Sequence, residues 1–271
     1  MVSLTPVPCA SATFTVWSSA WLAGAAAPDD VLDALGPWGQ LHDVVTTDAD
    51  TARTHSLSAP GTPPGSVTFL LAALRRAAPR GPGRVVLPAP GDPRGLPGPG
   101  PFSRAAMAAG EGVLFIDAGL GIVPGTAADG VLRWTVHPVP DPGPAPEHLA
   151  LPQAERDLRD QVRRSASVLT SLGVARHRPG VREEIAAKLR ARPRTLWPAG
   201  MPAPALRVLQ HADEVQAILA AASVDEPGGA LSASAAAARR EALRPLSTAV
   251  RVARRAAVTE AVRVLAASPL V

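Results

Sequence analysis

The sequence contains one cysteine, one lysine and no tyrosine, and aromatic residues make up only 3% of it. A single cysteine, Cys9, excludes an intrachain disulfide and a cluster of thiolate metal ligands, which favours a reducing cytoplasm. No apolar run approaches the roughly 20 residues that span a bilayer. The amino terminus also lacks the basic segment of a secretory signal. We therefore expect a cytoplasmic protein without a membrane span.

The short motifs that identify common catalytic and cofactor sites are missing as well. The sequence has no GxxxxGK[ST], GxSxG, HExxH or CxxC, and its six histidines are scattered, with no two at metal-ligand spacing on one element. The one glycine pattern that precedes a helix, at 98–103, has prolines at 99 and 101. Proline has no backbone N–H to donate to a pyrophosphate. We therefore predict no metal and no cofactor.

Alanine, glycine, proline and arginine dominate what is present, a bias typical of a high-GC bacterial genome. The hydrophobic fraction of 46% excludes wholesale disorder. Charge is divided unevenly: residues 1–150 hold 8 basic and 12 acidic groups, whereas residues 151–271 hold 19 and 11. This boundary coincides with the best linker, at 138–146, where six of nine residues are glycine or proline. We predict two domains, at 1–140 and 147–271.

Hydrophobic periodicity in the first domain predicts strands and helices in alternation. The predicted strands are at 12–17, 41–46, 84–88, 113–116 and 131–136, the last at a sheet edge, and the predicted helices are at 28–35, 66–78 and 103–109. Residues 48–65 are expected to form a surface loop and residues 119–125 a turn region. A β/α alternation favours parallel pairing. The expected fold is an α/β domain with a small, mostly parallel sheet of four or five strands.

The second domain is predicted to be all-helical. Its apolar residues recur at helical spacing in four segments. These segments are 152–174, 181–191, 203–223 and 232–267. Pro245 is expected to kink or divide the last of them.

A first candidate site follows the central strand at 84–88. Asp92 and Arg94 lie in a polar turn after this strand, and Asp117 follows the strand at 113–116. Ligands in open α/β sheets bind beyond the carboxyl ends of strands. Neighbouring parallel strands would bring the three side chains together to bind a cation or a polar ligand. The alternative is a structural Asp-Pro turn with a solvated arginine or an internal salt bridge.

A second candidate is a basic stripe on the final helix. Five arginines fall within one arc beside the apolar face of this helix. They are Arg240, Arg244, Arg251, Arg254 and Arg255. Such a stripe suits phosphates, an anionic membrane or an acidic partner, including the acidic amino-terminal half of this chain, and the alternative is a solvated face in an arginine-rich sequence. Nucleic acid is disfavoured because no aromatic residues are interleaved for base stacking and no helix-turn-helix is recognisable.

No motif assigns the sequence to a characterised family, and three hypotheses of function remain. The first is a non-catalytic adaptor or regulatory module, with a protein partner or a second copy bound through the helical half. The second is a small-molecule-binding protein or enzyme that uses Asp92, Arg94 and Asp117. The third is nucleic-acid association through the terminal helix. The absence of a constellation of catalytic groups favours the first.

Overall fold

A computed structural model describes residues 9–143, 149–171, 187, 197–222 and 233–267. These residues form two compact units. One comprises residues 9–143, 197–202 and 258–267, and the other residues 149–171, 187, 203–222 and 233–257. The amino-terminal half holds a mixed β-sheet with helices, and the carboxyl-terminal half holds helices.

The first unit contains five α-helices and six strands within residues 9–143. The helices are α1 (Ala10–Leu22), α2 (Pro28–Leu35), α3 (Ala49–His55), α4 (Val67–Ala77) and α5 (Pro101–Ala109). The strands are β1 (Leu41–Thr46), β2 (Gly65–Ser66), β3 (Arg84–Val86), β4 (Gly112–Phe115), β5 (Leu120–Ala128) and β6 (Val131–Pro138). They form one sheet in the order β2-β1-β6-β5-β4-β3.

The prediction of a mostly parallel sheet is wrong. Only β1 and β6 are parallel, and the other four pairs in this sheet are antiparallel. Between β4, β5 and β6 the connections are too short for a crossover, and Gly119 and Gly130 supply the positive φ that these turns need. A helix does separate β3 from β4. It permits parallel pairing but does not require it, because residues 87–100 supply enough chain for either direction.

The predicted strand at 12–17 is also wrong, because these residues lie in α1. All but one of the thirteen residues of this helix are buried, so it has no polar face and no amphipathic period for the sequence to display. Two of its small polar residues make local hydrogen bonds. The hydroxyls of Thr15 and Ser18 donate to the backbone carbonyls of Ser11 and Phe14, one turn earlier.

Three further predictions are wrong. The expected loop at 48–65 contains α3, a seven-residue helix whose short length hides its periodicity. The expected turn at 119–125 lies mostly in β5, where glycine and proline mask the strand signal. The expected edge strand at 131–136 is β6, which lies in the middle of the sheet between β1 and β5. Strands at 41–46, 84–88 and 113–116 are confirmed with small shifts in their ends.

The sheet has a hydrophobic cluster on each face. The larger one surrounds Trp134, whose ring centroid lies 4.8 Å from that of Phe14 of α1. The smaller one is built around Phe102 of α5. It contains Val86, Phe102, Ala106, Leu114, Val123 and Val139. Because Val139 is buried and its N–H bonds to the Gly119 carbonyl, the first residues of the predicted linker belong to the sheet unit.

The carboxyl-terminal half confirms three of the predicted helices. They are α6 (Leu151–Ser171), α7 (Ala203–Ala222) and α8 (Ala233–Ala267). Helix α6 buries Leu158 and Ser165 and packs on α7. Helix α8 continues through Pro245, so proline does not divide it. The helix predicted at 181–191 lies outside the described residues, apart from residue 187, which is helical.

Candidate functional site

β1 and β6 are the only parallel pair of strands in the sheet, so their carboxyl ends lie side by side. Thr46 is in register with Val136, so Thr47 and Asp48 leave β1 beside His137 of β6. Thr47 holds this arrangement, since both its backbone N–H (3.0 Å) and its hydroxyl (3.3 Å) donate to the Val136 carbonyl. Carboxyl ends of neighbouring parallel strands are the usual ligand-binding position in open α/β sheets.

His137 is a buried histidine whose ring makes no hydrogen bond. Its relative exposure is 5%, and neither Nδ1 nor Nε2 has a partner in the described part of the chain. The ring meets the edge of Phe102 at a centroid distance of 6.2 Å. Burial lowers the pKa of His137 below its ordinary value, so the ring is neutral at pH 7 and offers one donor and one acceptor.

Asp48 has one oxygen engaged and one without a partner. Oδ1 accepts the Thr51 backbone N–H at 2.7 Å and so caps the start of α3. Oδ2 is buried and has no hydrogen-bond partner within the described residues. Burial alone would raise the pKa of Asp48, but hydrogen bonds from Thr51 and Asp50, together with the nearby His137 ring, outweigh burial and lower it. The carboxylate is therefore charged at pH 7.

The two side chains influence each other electrostatically. The Asp48 charge raises the pKa of His137, although burial has the larger and opposite effect. Leaving a buried polar atom without a partner costs about 1–3 kcal/mol, and this pair contains three such atoms. Together they can hydrogen-bond a polar molecule held at the end of the β1 and β6 strands. We call Asp48 and His137 the β1/β6 edge pair.

His42 shows what a purely structural histidine looks like in the same sheet. Its Nδ1 accepts the Trp134 indole N–H at 3.2 Å, and its Nε2 lies 3.1 Å from the Leu35 carbonyl, to which it donates. Both ring nitrogens of His42 therefore have hydrogen-bond partners within the protein. Burial lowers the pKa of His42, and the bonds to backbone carbonyls offset only part of that effect. His42 therefore serves packing, whereas His137 retains its full hydrogen-bonding capacity.

The structure brings together two of the three residues of the first predicted site. Arg94 donates to Asp92 from Nε to Oδ1 (2.6 Å) and from Nη2 to Oδ2 (2.9 Å). Asp117 lies elsewhere, since it follows β4, and β3 and β4 are antiparallel. It lies beside Gly81, whose added Cβ would be 2.6 Å from Asp117 Oδ2. The expected convergence of the three side chains therefore does not occur.

The basic stripe of the terminal helix is partly engaged within the chain. Arg254 is buried, and its Nη2 donates to Asp213 of α7 at 2.5 Å. Arg244 pairs with Glu241 one turn earlier on the same helix. Arg251 donates to the Thr248 hydroxyl. Arg240 has a described backbone, and its side chain lies outside the described part of the structure, while Arg255 is half-buried.

Sequence reasoning missed both residues of the β1/β6 edge pair. Each directly follows or nearly follows a predicted strand, at 41–46 and 131–136, so the signal was present. The predictions of an edge position for strand 131–136 and of a surface loop for 48–65 obscure this signal. Recognising that these two strands are parallel neighbours would have identified the pair.

A metal-binding cluster and a membrane-spanning helix are both absent from the described ranges. Within them, no group of three or more His, Cys, Asp or Glu side chains is arranged to hold a metal ion. Among the described helices, none combines the length and the apolar character that crossing a membrane requires.

Most of the chain is similar to a group of mycobacterial proteins. Two family models match it: "Rv1486c-like protein, N-terminal domain" over residues 11–149 and "Rv1486c-like protein, C-terminal domain" over residues 152–255. No solved structure matches the chain.

Three relatives illustrate the similarity. Uncharacterized protein Rv1486c of Mycobacterium tuberculosis (strain ATCC 25618 / H37Rv) is 37% identical over 282 residues, covering 93% of this chain and 96% of that protein. Uncharacterized protein ML1804 of Mycobacterium leprae (strain TN) is 33% identical, with coverages of 92% and 96%. Uncharacterized protein MAV321 of Mycobacterium avium is 32% identical, with coverages of 93% and 96%. Since both family models match and together cover most of its length, the chain belongs to the Rv1486c-like protein family.

Proposed function

We propose that this protein binds a small polar molecule at the β1/β6 edge pair. The observation that carries the proposal is His137, a buried ring with two unpartnered nitrogens beside a buried and unpartnered carboxylate oxygen of Asp48. A protein core that needed only packing would place an apolar residue at such a position, because that removes the cost of the unmade hydrogen bonds. A polar ligand removes the same cost by supplying partners.

The location supports the same function. The pair stands at the carboxyl ends of the only two parallel strands of the sheet, where backbone direction and loops combine to form sites in α/β folds. The Asp92–Arg94 loop is a weaker candidate, since these two side chains already satisfy each other through two hydrogen bonds. We therefore assign the small-molecule site to the β1/β6 edge pair and not to the loop after β3.

Histidine-detected NMR tests this function directly. Full-length protein labelled with ¹⁵N-histidine would be titrated separately with n-butylammonium, glycerol and acetate, which represent cationic, neutral and anionic polar molecules. Binding at the site predicts a saturable shift of the His137 ring signals by at least one probe, while the His42 signals stay in place. If no probe shifts His137, or if His42 shifts to the same extent, the proposed function is wrong.

A second candidate function is self-association, in which two copies of this chain bind through the second unit. The observation that favours it is the exposure of two large apolar side chains, Val168 of α6 (43%) and Ile218 of α7 (48%). The double variant Val168→Ser, Ile218→Ser should abolish concentration-dependent association in sedimentation velocity, with Leu41→Ser, which changes an exposed side chain of the sheet unit, as control. A wild-type protein that remains monomeric at every concentration and sediments identically to the variant would contradict self-association.

A further inference from the structure

The unpartnered atoms of the β1/β6 edge pair are mainly hydrogen-bond acceptors. An ionised carboxylate only accepts, and Asp48 Oδ2 is the oxygen that has no partner. Neutral His137 adds one acceptor nitrogen and one N–H donor. A molecule that fits this set must therefore bring N–H or O–H donors of its own.

The β1/β6 edge pair carries a negative charge, which comes from Asp48. Asp48 forms no ion pair with an arginine within the described residues, in contrast to Asp43 and Asp92, which pair with Arg133 and Arg94. His137 does not supply the missing positive charge, because burial keeps its ring neutral at pH 7. A partly buried carboxylate without a cation favours a positively charged ligand and repels an anion. The donors and the charge thus point to the same chemical class.

Building on the proposed function, we propose that the ligand presents a primary ammonium or guanidinium group to the β1/β6 edge pair. One N–H of this group donates to Asp48 Oδ2, and a second donates to the acceptor nitrogen of His137. The remaining His137 N–H is available to an acceptor elsewhere on the ligand. A small amine with a neighbouring carbonyl or hydroxyl oxygen satisfies all three atoms at once.

A matched pair of probes tests this charge requirement. n-Butylammonium and n-butanol have nearly the same shape, and only the first carries a positive charge. With ¹⁵N-histidine protein, n-butylammonium should shift the His137 signals at concentrations at least about tenfold lower than n-butanol, as expected for a charge-assisted hydrogen bond. Acetate should not compete with it.

Two aspartate variants separate the role of Asp48 from a general charge effect. Asp48→Asn keeps an acceptor for the Thr51 N–H, so α3 stays capped, but it removes the charge. It should weaken n-butylammonium binding about tenfold or more. Asp43→Asn removes a charge from β1, the strand that precedes Asp48, where the partner is Arg133, and should leave binding unchanged.

The outcomes distinguish this inference from the proposed function. If n-butanol, glycerol or acetate shifts His137 as well as n-butylammonium does, or if Asp48→Asn binds the cation as tightly as wild type, the charge inference is wrong and the polar-ligand function stands. If none of the probes shifts His137, both are wrong, and the pair holds internal water only.

Discussion

The substitution Gly121→Ala tests the packing that holds His137 in place. Gly121 of β5 is in register with His137, and Phe102 lies against both. A Cβ at position 121 would come within 2.3 Å, 2.6 Å and 2.7 Å of three Phe102 ring atoms, distances that real contacts do not reach. Phe102 itself is 2% exposed, so its ring is enclosed by neighbouring atoms. We expect the free energy of unfolding to fall by about 3 kcal/mol, the upper end of the cost of overpacking.

The same strand offers a matched control for this substitution. Gly125 lies four residues further along β5, and a Cβ there would have no atom within 4 Å. Gly125→Ala should therefore be neutral or stabilise by about 0.5–1 kcal/mol, because alanine loses less backbone entropy than glycine. Urea unfolding followed by circular dichroism and tryptophan fluorescence would measure both. Equal free energies of unfolding for the two variants, within about 0.5 kcal/mol, would refute the packing argument.

A double-mutant cycle assigns the cost to the ring itself. Phe102→Ala removes the ring atoms that the new Cβ would strike, so Gly121→Ala should cost less in the Phe102→Ala background than in wild type. A coupling of about 1 kcal/mol or more is expected for side chains in direct contact. The His137 ring signals should also move in Gly121→Ala, since Phe102 transmits the displacement.

Three further outcomes follow from the structure. Glu111→Ala should lower the free energy of unfolding by about 1.5–3 kcal/mol, and Glu111→Gln by less, because the buried carboxylate accepts a backbone N–H at 2.7 Å in the first turn of α1; urea unfolding measures both. Burial lowers the pKa of His42 and His137 below 6.5, so only the unfolded chain gains these protons as the pH falls through that value. The free energy of unfolding should therefore decline by up to about 1.4 kcal/mol per pH unit for each histidine until the pH reaches the pKa of the folded state. His42→Gln should make the free energy of unfolding depend less steeply on pH. Proteinase K should cut first between positions 139 and 149, where proline and glycine are frequent, and resistance there would contradict the linker prediction.

The parts of the fold that could be predicted from the sequence are those with a clear period or a clear break. Strand 41–46 and helix 66–78 combine apolar periodicity with glycine, proline or polar ends, and both occur with small shifts. The buried helix α1 could not be found in this way, because a helix surrounded by core has no polar face. Strand β5 was hidden by Gly121, the residue that makes room for Phe102.

Strand order limited the prediction of the site. Asp92 and Asp117 follow neighbouring strands, but these strands run in opposite directions, and local sequence does not encode direction. The pair that the fold does join, Asp48 and His137, is separated by 89 positions and depends on the antiparallel run β3-β4-β5-β6, which ends with β6 beside β1. Such a contact is set by tertiary packing. The sequence shows that each residue follows a predicted strand, but it does not indicate that the two residues lie together.

The most direct test of the account is the pKa of His137 measured by NMR in wild type and in Asp48→Asn. The structure places the Asp48 charge where it raises the pKa of His137 against the effect of burial. Removing that charge should therefore lower the pKa of His137 further, while the pKa of His42 and the stability of the protein change little. Asp43→Asn should leave the pKa of His137 unchanged. An identical pKa of His137 in wild type and Asp48→Asn would show that the two side chains do not form a site.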